Sequence, residues 1–157
     1  MSGDLIPNSE MVAVAWLRTN VSYLDGNVAT SLPESVDSWS DKGFTVVTAI
    51  GGDSLDLGLR RAVLSLMYYA VAQQSGRPPW NRAVQMAEQV REIIYPTGVP
   101  LATTRAKYHV TAMPTTYKDA KVQNVFMRSE PRRRPGDSAD FAIYQNDIQL
   151  DWVVVPG

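Results

Sequence analysis

At 157 residues and 17.4 kDa the chain has the size of one domain with a core of its own. A hydrophobic fraction of 45%, a charged fraction of 20% and a formal net charge of −1 exclude a disordered chain and a wholly basic nucleic-acid coat. With no cysteine, disulfides, iron–sulfur clusters, thiolate zinc sites and cysteine nucleophiles are all excluded together.

In chain order, the opening MSGDLIPNSE shows no basic stretch leading into an apolar one. No later segment approaches the roughly 18 uninterrupted apolar residues of a membrane span. The expectation is a protein made in a cytoplasm with no membrane partner. Met11 to Leu17 (MVAVAWL) reads as a helix, with Ser9 as its cap, Glu10 in its first turn and Asn20 at its far end. Asp25-Gly26 marks a turn, and the polar run to Asp41 reads as a structured loop. Phe44 to Ile50 (FTVVTAI) has the β-branched and aromatic content of a strand, closed by a turn at Gly51-Gly52-Asp53-Ser54.

Arg60 to Ala72 (RRAVLSLMYYAVA) fits a buried helix nearly as well as a strand; Val63, Tyr68, Tyr69 and Val71 favour a long central strand. A second helix follows Pro79, with Ala83, Ala87, Val90 and Ile94 as its apolar stripe and Pro96 and Gly98 as its stop. Beyond Leu101 come β-type stretches, roughly Arg105 to Met113, Val122 to Met127 and Phe141 to Val155. In the last, Gln145-Asn146-Asp147 reads either as a turn splitting a hairpin or as a polar stretch within one strand. The order does not alternate as βαβα does, so the expected architecture is α+β. It is a single domain over 1–157, with a mostly antiparallel sheet of about five strands flanked by two main helices.

Chemistry is sparse. His109 is the single histidine, which excludes multi-histidine metal sites and reads as structural in its strand-like YHV setting. None of the phosphate-binding or nucleophile-elbow motifs occurs, and Asp53 with Asp56 falls short of a calcium ligand set. No cofactor or metal is expected. Position is more informative than total charge: Arg105 to Arg134 holds eight Lys or Arg against Asp119 and Glu130, a local excess of +6. Within it, Pro131-Arg132-Arg133-Arg134-Pro135-Gly136 reads as an extended loop between strands, part of a mobile basic loop over 131–139. With Arg128 these arginines either meet phosphates or form a solvated loop. Trp39, in the polar loop, and Trp80, at the entrance of the second helix, pack either onto the body or into a subunit interface.

VAWLRTN in the first helix, VATSLP in the loop, and Trp39 and Asp41 leading into GFTVVTAIGGDSLDLGLRR and then PPWNRAVQMAEQVREIIY form an ordered set. Spanning roughly residues 12 to 95, the set resembles the tail terminator proteins of long-tailed phages that infect actinobacteria. The resemblance implies a virion protein with a sheet flanked by helices, assembling as a hexameric ring on the tail tube. There it stops tube polymerisation and meets the head connector. The partners implied are further copies of the chain, the major tail tube protein and a head–tail connector or head-closure protein.

On this reading Trp39, Trp80, Arg60 and Arg61 are the expected subunit or partner contacts. Arg128, Arg132, Arg133 and Arg134 are the expected lumen residues, in reach of packaged DNA. The alternatives are a head-closure or connector protein of the same neck region, a small nucleic-acid-binding module using Arg128 and Arg132 to Arg134, and a small enzyme pairing His109 with a carboxylate.

Overall fold

A computed structural model describes residues 5–21, 27–54, 58–71, 79–95, 110–111, 113–134 and 141–155. Asp25-Gly26, Asp56, Pro96, Gly98, His109 and most of the expected strand from Arg105 to Met113 lie outside these residues, as do 135–139 of the basic loop.

Two helices, α1 (Ser9–Asn20) and α2 (Trp80–Ile94), pack on one face of a mixed sheet. Its strands are β1 (Val28–Ala29), β2 (Phe44–Ser54), β3 (Arg60–Val71), β4 (Val110–Thr111), β5 (Ala120–Met127), β6 (Arg132–Arg134) and β7 (Phe141–Val154). The spatial order is β1-β2-β3-β7-β5-β4, with β6 also on β7. The four long strands pair antiparallel throughout, and β1 pairs parallel with β2. The α+β class and the mostly antiparallel sheet are therefore as the sequence pattern implies.

Local chemistry explains the elements and three departures from expectation. Asn8, not Ser9, caps α1: its side chain accepts the Met11 N–H at 2.8 Å, which satisfies one of the orphan donors of the first turn. Ser9 is the first helical residue, and its hydroxyl instead accepts the indole N–H of Trp152 at 3.0 Å. The Gly-Gly-Asp-Ser segment is not a turn but the end of β2, which runs past a bulge between Ala49 and Gly51. Gly52 sits there at φ +138°, so close to β3 that an added Cβ would lie 2.2 Å from the Arg61 carbonyl. The glycine pair allows the strand to continue against its partner rather than ending it.

Arg132 to Arg134 are the third departure, a strand rather than a loop. They pair with Gln145, Tyr144 and Ile143, where β7 extends past the end of β5 and leaves its backbone edge open.

Arg60 to Val71 is the long central strand, and the last segment is one continuous strand of 14 residues. Its polar middle stays extended because partners satisfy it: Tyr68 donates to Asn146 at 2.6 Å and Gln145 donates to Ser65 at 2.8 Å. The core joins Val12, Trp16 and Leu17 of α1 with Met86, Ala87, Val90 and Ile94 of α2. Both sets pack over Leu64, Leu66, Tyr68, Ile148, Leu150 and Trp152 of the sheet. The expected stripe of α2 (Ala83, Ala87, Val90, Ile94) is buried, with Met86 added to it. Val90, Ile94 and Met86 each contribute about 1.5–3 kcal/mol on burial, and the alanines less.

Candidate functional site

Strand pleating sorts the side chains. On β3, Ala62, Leu64, Leu66, Tyr68 and Ala70 point to the helices; Arg61, Val63, Ser65, Met67 and Tyr69 take the other face. Register carries the division across to β7, where Gln145, Asp147, Gln149 and Asp151 join the second face. Among the described residues no helix covers that face, and its centre is polar.

These polar groups are ordered by one another. Arg128 donates to the Gln149 side-chain oxygen at 3.1 Å; the Gln149 amide donates to Asp151 Oδ1 at 3.2 Å; Arg61 Nε donates to that same oxygen at 3.3 Å. Asp151 is buried while the Arg61 side chain is 43% exposed, so one carboxylate within the sheet holds an arginine at the surface. Such a half-exposed pair adds little stability and mainly fixes the guanidinium's position. One carboxylate oxygen of Asp147 is buried without a partner among the described residues.

The arginines divide by register. Arg132 is opposite Gln145 and Arg134 opposite Ile143, on the open face, where the Arg134 guanidinium also reaches the Met67 sulfur at 3.2 Å. Arg133 is opposite Tyr144, on the helix side, and its Cζ stacks 4.2 Å from the centre of the Trp80 ring. Trp80 in turn meets Tyr144 edge-on at 6.1 Å and is half-buried at the start of α2. The structure thus brings Arg61, Arg128, Arg132 and Arg134 to one face and sets Arg133 apart with Trp80. Sequence reasoning grouped Arg132 to Arg134 as one feature because a loop does not sort its side chains, whereas a strand sends alternate ones to opposite faces.

Arg60 and Arg61 separate in the same way. Arg60 lies over the indole of Trp152, 5.2 Å from the ring centre. Trp39 is not available as a contact surface: it is only 2% exposed, packed between Phe44 at 5.9 Å and Phe141 at 6.3 Å. Burying its large ring under the polar loop gives that loop an anchor, the outcome that apolar area favours over exposure. Tyr69 joins this aromatic end of the open face through Phe141, and burial raises its phenol pKa while the nearby Arg134 charge pulls the other way.

Asp53, in the strand, is paired in register with Arg61. Among the described residues no three His, Asp or Glu side chains gather as a metal cage, and no helix is long and apolar enough to cross a membrane. A groove of about 420 Å³ beside α1 is lined by Met11, Val14, Ala15, Met113 and Pro114 around Arg18. Arg18 is already engaged, donating to the Val28 carbonyl at 2.8 Å.

Comparison with known proteins gives no match to any family model and none to the curated proteins. Among solved structures, the chain is similar to one in a structure described as "Virion of native gene transfer agent (GTA) particle". The two share 12% identity at a TM-score of 0.46, over 92% of this chain and 94% of that one.

Proposed function

We propose that the chain is a structural protein of a phage virion, a tail terminator that forms a ring on the end of the tail tube, stops its growth and joins the tail to the head connector. The observation that carries this reading is the face of the sheet that no helix covers among the described residues. It is a polar surface braced by its own hydrogen bonds, with Arg61, Arg128, Arg132 and Arg134 displayed on it. A face of that kind suits the wall of a channel through which a polyanion passes, where fixed, moderate charge attracts DNA without holding it. The ordered segments that resemble those of tail terminators support the same assignment. Function is then mechanical: heterologous contacts close a ring, and its two ends meet the tube protein and the connector or head-closure protein.

Light scattering over a concentration series, followed by negative-stain imaging on isolated tail tubes, tests the reading. The expected result is a closed ring of about six subunits, the number of the family it resembles, bound at one tube end. Rings bound on the portal side and never on tubes would assign a head-closure role instead. For the channel wall, Arg132→Ala with Arg134→Ala, leaving Arg133 on Trp80 in place, should leave melting nearly unchanged and flatten the salt dependence of any duplex-DNA binding. Loss of folding would show that β6 is a structural strand first.

A further inference from the structure

Strand β7 runs through the open face, and the basic side chains of that face stand along it in a line. Alternate residues of β7, from Ile143 through Gln145, Asp147, Gln149 and Asp151 to Val153, take the side away from the helices. Arg134 lies opposite Ile143, Arg132 opposite Gln145 and Lys121 opposite Val153, while Arg128 donates to Gln149 and Arg61 to Asp151. All five basic residues are exposed. They come from β3, β5, β6 and the residue that follows β5, so only the strand register aligns them.

At about 3.4 Å per residue, Ile143 to Val153 spans about 34 Å, one helical turn of duplex DNA. The line is broken once, at Asp147, where one carboxylate oxygen is buried without a partner among the described residues. An orphan oxygen lends the sheet no stability, so its place in the line concerns what lies above the face. The break sets Arg132 and Arg134 apart from Arg128, Arg61 and Lys121 by the stretch from Gln145 to Gln149, about 14 Å. The major groove of duplex DNA is about 12 Å wide, so the two basic sets are spaced like the two backbones that border it. Asp147 then faces the groove, where no phosphate lies. Asp151 and Asp53 beside Arg61 keep the net charge of the face low, while Glu130 acts on Arg91 of α2, toward the helix side.

We propose that β7 is a track for duplex DNA, with Arg132 and Arg134 on the phosphates of one backbone and Arg128, Arg61 and Lys121 on those of the other. The proposal rests on the channel-wall reading and deepens it: the duplex lies along β7, so in the ring that strand runs along the channel. Contacts to phosphate alone carry no sequence preference, as passage of a whole genome requires. A few separated contacts with a carboxylate between them attract the duplex without locking it in place. Arg133, the neighbour of two members of the line, has no part in it, because the strand turns it to Trp80.

Fluorescence anisotropy of a labelled duplex about two helical turns long, titrated with the full chain between about 50 and 200 mM salt, tests the track. Lys121→Ala should lower the slope of log K against log salt by about 0.9 for each chain engaged, the share of one phosphate contact. Arg132→Ala with Arg134→Ala should lower it by twice as much, and Arg133→Gln should leave it unchanged. Lys121 is exposed, so Lys121→Ala should melt with the wild type. An unchanged slope for Lys121→Ala, or a drop for Arg133→Gln as large as for Arg132→Ala, would overturn the track and leave the ring reading standing. A single strand of the same length bound as tightly as the duplex would overturn the two-backbone contact. A wild-type protein that forms rings on tail tubes yet binds no DNA at about 50 mM salt would overturn the track and the channel wall together, with the terminator role intact.

Discussion

The hydrogen bond between Tyr68 and Asn146 couples the central strand pair at a fully buried point, and removing one partner should show its full cost. Both residues are completely buried, and the phenol donates to Asn146 Oδ1 at 2.6 Å. The Asn146 amide has only the Met127 sulfur, at 3.5 Å, a weak acceptor. Tyr68→Phe keeps the ring and strands the Asn146 oxygen, a penalty of about 1–3 kcal/mol. For a chain of this length that corresponds to roughly 2–4 °C per kcal/mol, or about 4–8 °C in Tm for a 2 kcal/mol loss.

Adding Asn146→Leu should recover most of the loss, because both halves of the bond are then gone and no orphan oxygen remains. The pH dependence supplies a second readout. Burial first, and then the Glu88 charge, hold the Tyr68 phenol well above its ordinary value. The unfolded chain ionises near pH 10, so Tyr68's contribution is complete below that pH. Stability then falls by up to about 1.4 kcal/mol per pH unit as pH rises above it. The gap between wild type and Tyr68→Phe should therefore narrow in alkali. Thermal melting by circular dichroism from pH 7 to 11 measures both effects. A Tyr68→Phe protein that melts with the wild type at neutral pH, or a double variant whose loss equals the sum of the singles, would refute the reasoning.

Gly52→Ala should lower Tm by about 4 °C or more, since positive φ alone costs about 1–3 kcal/mol and the new Cβ collides with the Arg61 carbonyl. Gly51→Ala, which meets nothing within 4 Å, should be tolerated, and equal melting of the two would show that the bulge is not as described. Val90→Asp places an unpaired charge at a fully buried position between α2 and the sheet, so circular dichroism should find it unfolded. A soluble, normally melting Val90→Asp protein would contradict the packing of α2.

Periodicity made α2 readable because its apolar stripe repeats at the helical interval, and burial of Ala83, Ala87, Val90 and Ile94 follows that interval. Arg60 to Val71 was harder: a continuous apolar run suits either a helix or a strand, and only pairing with β2 on one side and β7 on the other resolves it. Gly51-Gly52 resembled a turn because glycine favours turns, yet it serves a bulge, which requires a partner strand to exist.

By itself the sequence determined composition-level limits: no thiol chemistry, one core's worth of apolar residues, the two helices and the β-rich second half. Tertiary structure decided the rest of the candidate site. Which arginines share a face is set by strand register, and register depends on hydrogen bonds between segments as distant as Arg61 and Asp151. Whether Trp39 offers a surface depends on Phe141, a residue about a hundred positions away that covers it. Local patterns encode which way a backbone prefers to bend, but the neighbour a side chain meets is fixed only when the strands are laid side by side.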